Sequence, residues 1–135
     1  MRRFQGSNST TQTSASKTRK LALLLLEDEP VLNEALTTFL KKEAFDVFDA
    51  RTMREAMVLL ENQDIDGFLS DYHLQDNTID SLLDHIQEQV PELLGQTVLI
   101  SGQTNFDSRS LPVLFKPFSL SKLGSIISEW QLLDS

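Results

Sequence analysis

Five residues whose chemical types suit a reaction stand at the ends of short apolar runs. Glu27 and Asp28 follow residues 21–26, Asp71 follows Phe68-Leu69-Ser70, Ser101 follows residues 97–100, and Lys116 follows Val113-Leu114-Phe115. A carboxylate at the end of a buried strand is costly unless something uses it. Three carboxylates in one crevice push each other's pKa up, and a divalent cation relieves the repulsion. Hard oxygen ligands suit Mg2+, which prefers octahedral geometry and keeps several waters. Lys116 adds a cation, Ser101 a hydroxyl and Gly102 an unobstructed backbone. Such a set holds an anion whose charge is high in the transition state. Phosphoryl transfer fits, because positioning and electrostatic stabilisation do nearly all of its catalytic work. A carboxylate can itself be the nucleophile, forming an aspartyl phosphate, and Asp71 is the natural acceptor.

These residues meet only if their strands run parallel and end side by side. Residues 21–26 are apolar on both faces, as a central parallel strand requires. Pro30 suits the first turn of a helix, and Val31, Leu32, Ala35, Leu36, Phe39 and Leu40 recur at helical spacing up to Glu43. Phe45-Asp46-Val47-Phe48 alternates and reads as an edge strand. Thr52 with Glu55 predicts a capped helix whose apolar face is Ala56, Met57, Leu59 and Leu60. A turn at 64–67 leads into the strand ending at Asp71, and residues 75–77 read as loop. Ile79, Leu82, Leu83 and Ile86 mark a third helix ending near Pro91. Residues 96–101 and 111–115 are the fourth and fifth strands, and Ser119 caps a last helix bearing Leu120, Leu123, Ile126, Ile127 and Trp130. Strands alternating with helices indicate βαβ units with right-handed crossovers. The expected fold is α/β: a flavodoxin-like, doubly wound, five-stranded parallel sheet of order 2-1-3-4-5. Glu27, Asp28 and Asp71 then share one crevice.

The bulk numbers agree with one such domain. The chain has 135 residues, 40% of them hydrophobic, and no cysteine, which excludes disulfides and thiolate metal sites. No apolar run approaches the roughly 20 residues of a membrane span, and no apolar stretch follows Arg2 and Arg3 as a secretory signal requires. Residues 1–20 carry Arg2, Arg3, Lys17, Arg19 and Lys20 and no acid, a charge of +5. With a net charge of −8, the rest carries −13. A body this acidic argues against direct nucleic-acid contact and aids solubility. Residues 1–19, rich in Ser, Thr, Gln and Asn, cannot bury enough surface to order themselves. They read as a flexible linker, tail or expression remnant, with the domain at 20–135.

Four motifs carry a resemblance: Leu26-Glu27-Asp28-Glu29-Pro30, Leu69-Ser70-Asp71-Tyr72-His73-Leu74, Leu99-Ile100-Ser101-Gly102, and Leu114-Phe115-Lys116-Pro117-Phe118. In this order and at strand ends, they make the chain from about Lys20 to Leu133 resemble a response-regulator receiver domain, the phosphoacceptor of two-component signalling and phosphorelays. The resemblance implies that Asp71 accepts a phosphoryl group from a phosphohistidine on a histidine kinase or histidine phosphotransfer domain. It implies Mg2+ held by Asp28 and Asp71, with Glu27 beside them and the backbone carbonyl of His73 completing the set. Ser101 would bond the phosphoryl oxygen and shift on its arrival, Lys116 would pair with it, and the Lys116-Pro117 bond is often cis in this family. His73 and Gly102 would tune phosphate lifetime. The module implied is no turnover enzyme. It phosphorylates and dephosphorylates itself, and it is cytoplasmic, with a tether to a membrane-bound kinase upstream and a homodimer among its options.

Two features depart from that family. Val113 stands three residues before the lysine, where an aromatic residue usually couples to the serine or threonine. Only residues 102–115 separate Ser101 from Lys116, which leaves room for at most one helical turn within 105–110. Shortening of this kind resembles receivers fused behind hybrid histidine kinases, and no DNA-binding output segment is visible after Ser135. Two other functions compete: a pseudo-receiver that docks without cycling phosphate, and a Mg2+-dependent aspartyl phosphatase of the haloacid-dehalogenase type. The latter usually has a second Asp where this chain has His73. His73 and His85 as imidazole ligand or phosphorylated histidine are the lesser readings, Glu29 suits a helix N-terminus, and Trp130 and Phe118 read as core or dimer contacts.

Overall fold

The computed structural model describes residues 20–134 apart from Asp76, and side chains as far as Trp130. The tail expected at 1–19 lies outside the described residues. The strands and helices, in chain order, are β1 (Ala22–Leu26), α1 (Pro30–Lys42), β2 (Asp46–Ala50), α2 (Met53–Asn62), β3 (Gly67–Asp71), β4 (His73–Leu74), β5 (Asn77–Thr78), α3 (Asp80–Gln89), β6 (Thr97–Ser101), β7 (Val113–Phe115) and α4 (Leu120–Asp134). A 3-10 helix at Pro91–Gln96 joins α3 to β6. The main sheet has the order β2-β1-β3-β6-β7 with every pairing parallel. This is the flavodoxin-like order expected, with β2 at an edge.

Alternation along the central strands divides the core into two. Leu23, Leu25, Leu69, Val98 and Ile100 point to one face and pack with Leu36 and Leu40 of α1 and Leu123, Ile127 and Trp130 of α4. Leu24, Leu26, Phe68 and Leu99 point to the other and pack with Ala56 of α2 and Leu82, Leu83 and Ile86 of α3. Each buried leucine removes apolar surface worth about 1.5–3 kcal/mol, so β1, apolar on both sides, anchors both layers. Gly67 admits a close approach: a Cβ there would lie 2.7 Å from two ring carbons of Trp130. Trp130 is therefore a core residue, and Phe118 packs partly buried on the same layer.

Several local details differ from the sequence reading. The stripe that α1 buries is Asn33, Leu36 and Leu40, and Val31 is 72% exposed. Thr52 accepts the Glu55 N–H at 3.1 Å, but the Glu55 carboxylate takes the N–H of Arg51 instead of closing a reciprocal box on Thr52. Asn77, read as loop, belongs to a two-stranded hairpin in which His73 pairs with Thr78 and Leu74 with Asn77. The Tyr72 carbonyl accepts the Ile79 N–H at 3.1 Å and closes that hairpin. Between β6 and β7, residues 102–112 form bends and a turn with no helix. Arg109 and Ser110 take left-handed φ values of 57° and 66° there. Such a conformation costs a non-glycine residue about 1 kcal/mol, so side-chain contacts must hold it.

Candidate functional site

Strand register brings the reactive residues level. Leu26 pairs with Ser70, Asp71 with Ile100, and Ser101 with Phe115. The carboxyl ends of β1, β3, β6 and β7 therefore form one rim, where open α/β sheets collect their ligands. Glu27 continues β1, its N–H donating to the Ala50 carbonyl at 3.0 Å. Lys116 continues β7, its N–H donating to the Ser101 carbonyl at 2.8 Å. One carboxylate oxygen from each of Glu27, Asp28 and Asp71 lies within 4.8 Å of the others. The Lys116 ammonium is 3.6 Å from Asp71 Oδ2 and 3.8 Å from Glu27 Oε1.

The electrostatics of this rim are strained. Glu27 is fully buried. Its Oε2 accepts the Glu29 N–H at 3.0 Å, but its Oε1 is buried without a hydrogen-bond partner. Burial, with Asp71 and Asp28 nearby, pushes the Glu27 carboxyl from 4.5 to about 7, against the pull of the Glu29 amide and Lys116. Burial also pushes Asp71 up, helped by Asp28 and opposed by Lys116. An orphaned buried oxygen beside two more carboxylates is a donor set that a hard divalent cation satisfies, so the residues fit Mg2+. Asp28 is held from another side, its Oδ2 accepting the Gln75 N–H at 2.9 Å.

The other predicted residues divide. Ser101 is buried on the rim, but its hydroxyl is engaged with its own loop, donating to the Gln103 carbonyl and accepting the Gln103 N–H, both at 2.9 Å. His73 sits in β4 with its ring edge-on to Tyr72 and Phe106, which gives the imidazole an aromatic setting. His85 lies part-buried on α3. The Lys116-Pro117 peptide is cis.

Sequence reasoning missed Asn33. Its buried amide donates to the carbonyl of Glu27 at 3.0 Å and reaches that of Ala50 at 3.5 Å, tying the acidic turn to β2. The available signal was a polar residue in register with Leu36 and Leu40. It also missed Tyr72, whose hydroxyl donates to Asp80 Oδ2 at 2.8 Å while its ring stacks on Phe106.

No protein-family model matches the chain. The response regulator protein PilR of Pseudomonas aeruginosa is 27% identical over 110 residues, 78% of this chain and 25% of that protein. The chain thus spans about a quarter of the length of the curated relative it matches. Among solved structures, the signal receiver domain of an HD domain-containing protein from Pseudomonas fluorescens superposes with a TM-score of 0.75 at 21% identity, covering 86% of this chain and 98% of that one. The chemotaxis response regulator CheY4 of Vibrio cholerae gives 0.72 at 16% identity, covering 83% and 99%. The receiver domain of the hybrid histidine kinase CckA gives 0.66 at 22% identity, covering 82% and 98%. The fold is the receiver-domain fold, and 78% of the chain is similar in sequence to a response regulator.

Proposed function

We propose that this domain is the phosphoacceptor of a two-component or phosphorelay system. The observation that carries the reading is the rim itself: three carboxylates within 4.8 Å of one another, a buried Glu27 oxygen without a hydrogen bond among them, and Lys116 beside Asp71. In this reading Asp71 attacks the phosphorus of a partner's phosphohistidine, the P–N bond breaks, and the imidazole nitrogen leaves to take up a proton. Glu27, Asp28, Asp71 and the His73 carbonyl hold Mg2+, which neutralises phosphoryl charge when bound. Lys116 exchanges its ion pair with Asp71 for one with the phosphoryl oxygens, and Ser101 donates its hydroxyl to another. The partner is a histidine kinase or phosphotransfer domain, residues 1–19 serve as a linker or tail, and the domain acts in the cytoplasm. The domain makes no direct nucleic-acid or membrane contact and is not a turnover enzyme.

Incubation with Mg2+ and acetyl phosphate, followed by intact mass, tests this. A single phosphoryl adduct that is absent without Mg2+ and absent from Asp71→Asn is expected. No adduct, even with a phosphorylated kinase as donor, would indicate a docking module that never cycles phosphate. Multiple turnover of free phosphoesters would indicate a phosphatase.

A further inference from the structure

The segment 102–112 lacks a helix but is held at three places. At its start, Gln103 is gripped through both its N–H and its carbonyl by the Ser101 hydroxyl. Further on, Phe106 stacks on Tyr72 with ring centroids 4.3 Å apart and planes 22° from parallel. Arg109 then reaches α3, its Nη1 donating to Asp84 Oδ1 at 2.8 Å and its Nη2 to Asp80 Oδ1 at 3.3 Å. The other Asp80 oxygen accepts the Tyr72 hydroxyl at 2.8 Å. Tyr72 directly follows Asp71, so the aromatic stack and the arginine fork converge on the neighbour of the acceptor. The left-handed φ of Arg109 and of Ser110 is held beside that fork.

We propose that Phe106 and Arg109 form a latch closing the 102–112 segment onto Tyr72 and α3, and that a phosphoryl group on Asp71 opens it. The inference rests on the phosphoacceptor reading above. Its step is a limit on one hydroxyl. Ser101 has a single proton, now given to the Gln103 carbonyl. Donating that proton to a phosphoryl oxygen leaves the carbonyl without its partner. Gln103 is three residues from Phe106, a reach of at most about 10 Å, so the freed turn is too close to the stack to move without disturbing it. The latch supplies a route that does not need an aromatic residue at Val113. Opening it separates Phe106 from Tyr72 and frees the Asp80 and Asp84 carboxylates from Arg109, so the surface that changes with state is the start of α3 and the strap over it.

Beryllofluoride with Mg2+ mimics an aspartyl phosphate and gives an equilibrium readout. Its binding to the full chain is followed by fluorine NMR, and opening by hydrogen exchange of the 102–112 amides. Beryllofluoride is expected to speed their exchange in the unaltered protein. Arg109→Ala and Arg109→Lys, the latter keeping charge but losing the fork, should exchange fast beforehand. By reciprocity of coupling they should also bind beryllofluoride roughly threefold or more tighter. Arg54→Ala, which removes an exposed arginine elsewhere, should do neither. Beryllofluoride binding with unchanged 102–112 exchange, or equal affinity in the Arg109 variants, overturns the latch and leaves the phosphoacceptor reading standing. Failure of the unaltered protein to bind beryllofluoride overturns both.

Discussion

Replacing Glu27 by glutamine should make the metal-free domain more stable at neutral pH, although it removes a residue of the site. The Glu27 carboxyl is fully buried, with one oxygen that makes no hydrogen bond, and burial pushes it up from 4.5 to about 7. A raised pKa in the folded state means that the unfolded chain loses this proton first. Stability from this group is therefore fully present below pH 4.5 and is lost as pH rises to about 7, beyond which the loss is constant. At about 1.4 kcal/mol per pH unit, the move from 4.5 to 7 is worth roughly 3 kcal/mol. The glutamine amide cannot ionise, so it escapes this loss. It faces Lys116 with unmatched N–H donors, which returns about 1–2 kcal/mol. The net gain at pH 8 in chelator is then about 1–2 kcal/mol, or roughly 5 °C in midpoint for a domain of this size. Urea or thermal unfolding from pH 4.5 to 8 measures it. Millimolar Mg2+ should reverse the order, because a cation that binds only the folded state stabilises by mass action and the amide oxygen offers it a weaker ligand than the carboxylate. Parallel pH profiles for the two proteins in chelator, or a Glu27→Gln protein less stable at pH 8, would refute the reasoning.

Lys116→Ala should leave Asp71 and Glu27 facing each other without a cation. Because the lysine side chain is about one-third exposed, the stability loss in chelator at pH 8 should stay near 1 kcal/mol, while phosphoryl adduct formation by intact mass should fall far more. Gly67→Ala drives a methyl against the Trp130 ring at 2.7 Å. It should lose about 1–3 kcal/mol and shift the fluorescence of the chain's single tryptophan. Asn33→Ala strips the Glu27 carbonyl of its buried donor. It should cost about 1–3 kcal/mol in urea unfolding and weaken Mg2+ binding, since the acidic turn loses its tie to β2.

The sheet was legible because its strands are written in local pattern. The leucine run of the first strand, the position of Asp71 after Phe68-Leu69-Ser70, and the alternation of strand and helix are all carried by near neighbours in sequence. The reactive rim followed, because parallel order alone makes those strand ends converge. What stayed hidden has no local signature. Two-residue strands such as His73–Leu74 and Asn77–Thr78 are too short to show a period. The α1 stripe is right at Leu32, Leu36, Phe39 and Leu40, which pack on the core, and wrong only at its edges: the apolar Val31 and Ala35 are exposed and the polar Asn33 is buried. A backbone carbonyl freed at the turn after β1 can draw an amide inward, and no propensity records that demand. The contacts of Phe106 with Tyr72 and of Arg109 with Asp84 span 34 and 25 positions, and nothing in their own neighbourhoods points to the partner.

The missing helix has a consequence for what Phe106 must do. A parallel connection usually needs a dozen or more residues and a helix to cover the sheet, but eleven residues, 102–112, join β6 to β7. Part of that cover comes from Phe106, Leu111 and Val113, each packed partly buried against the layer that holds Leu99 and Ile79. Phe106 thus serves two ends: it shields apolar core, and it stacks on the neighbour of the acceptor. The two can be separated, because shielding needs only apolar bulk and stacking needs a ring. Phe106→Leu should keep most of the cover, costing at most about 1.5 kcal/mol in urea unfolding, and should lose the Tyr72 stack. If the stack transmits state, this variant should show fast exchange at 102–112 without beryllofluoride while its global stability is nearly intact. If Phe106 is cover alone, stability and local exchange should change together, and exchange in 102–112 should still respond to beryllofluoride as in the unaltered chain.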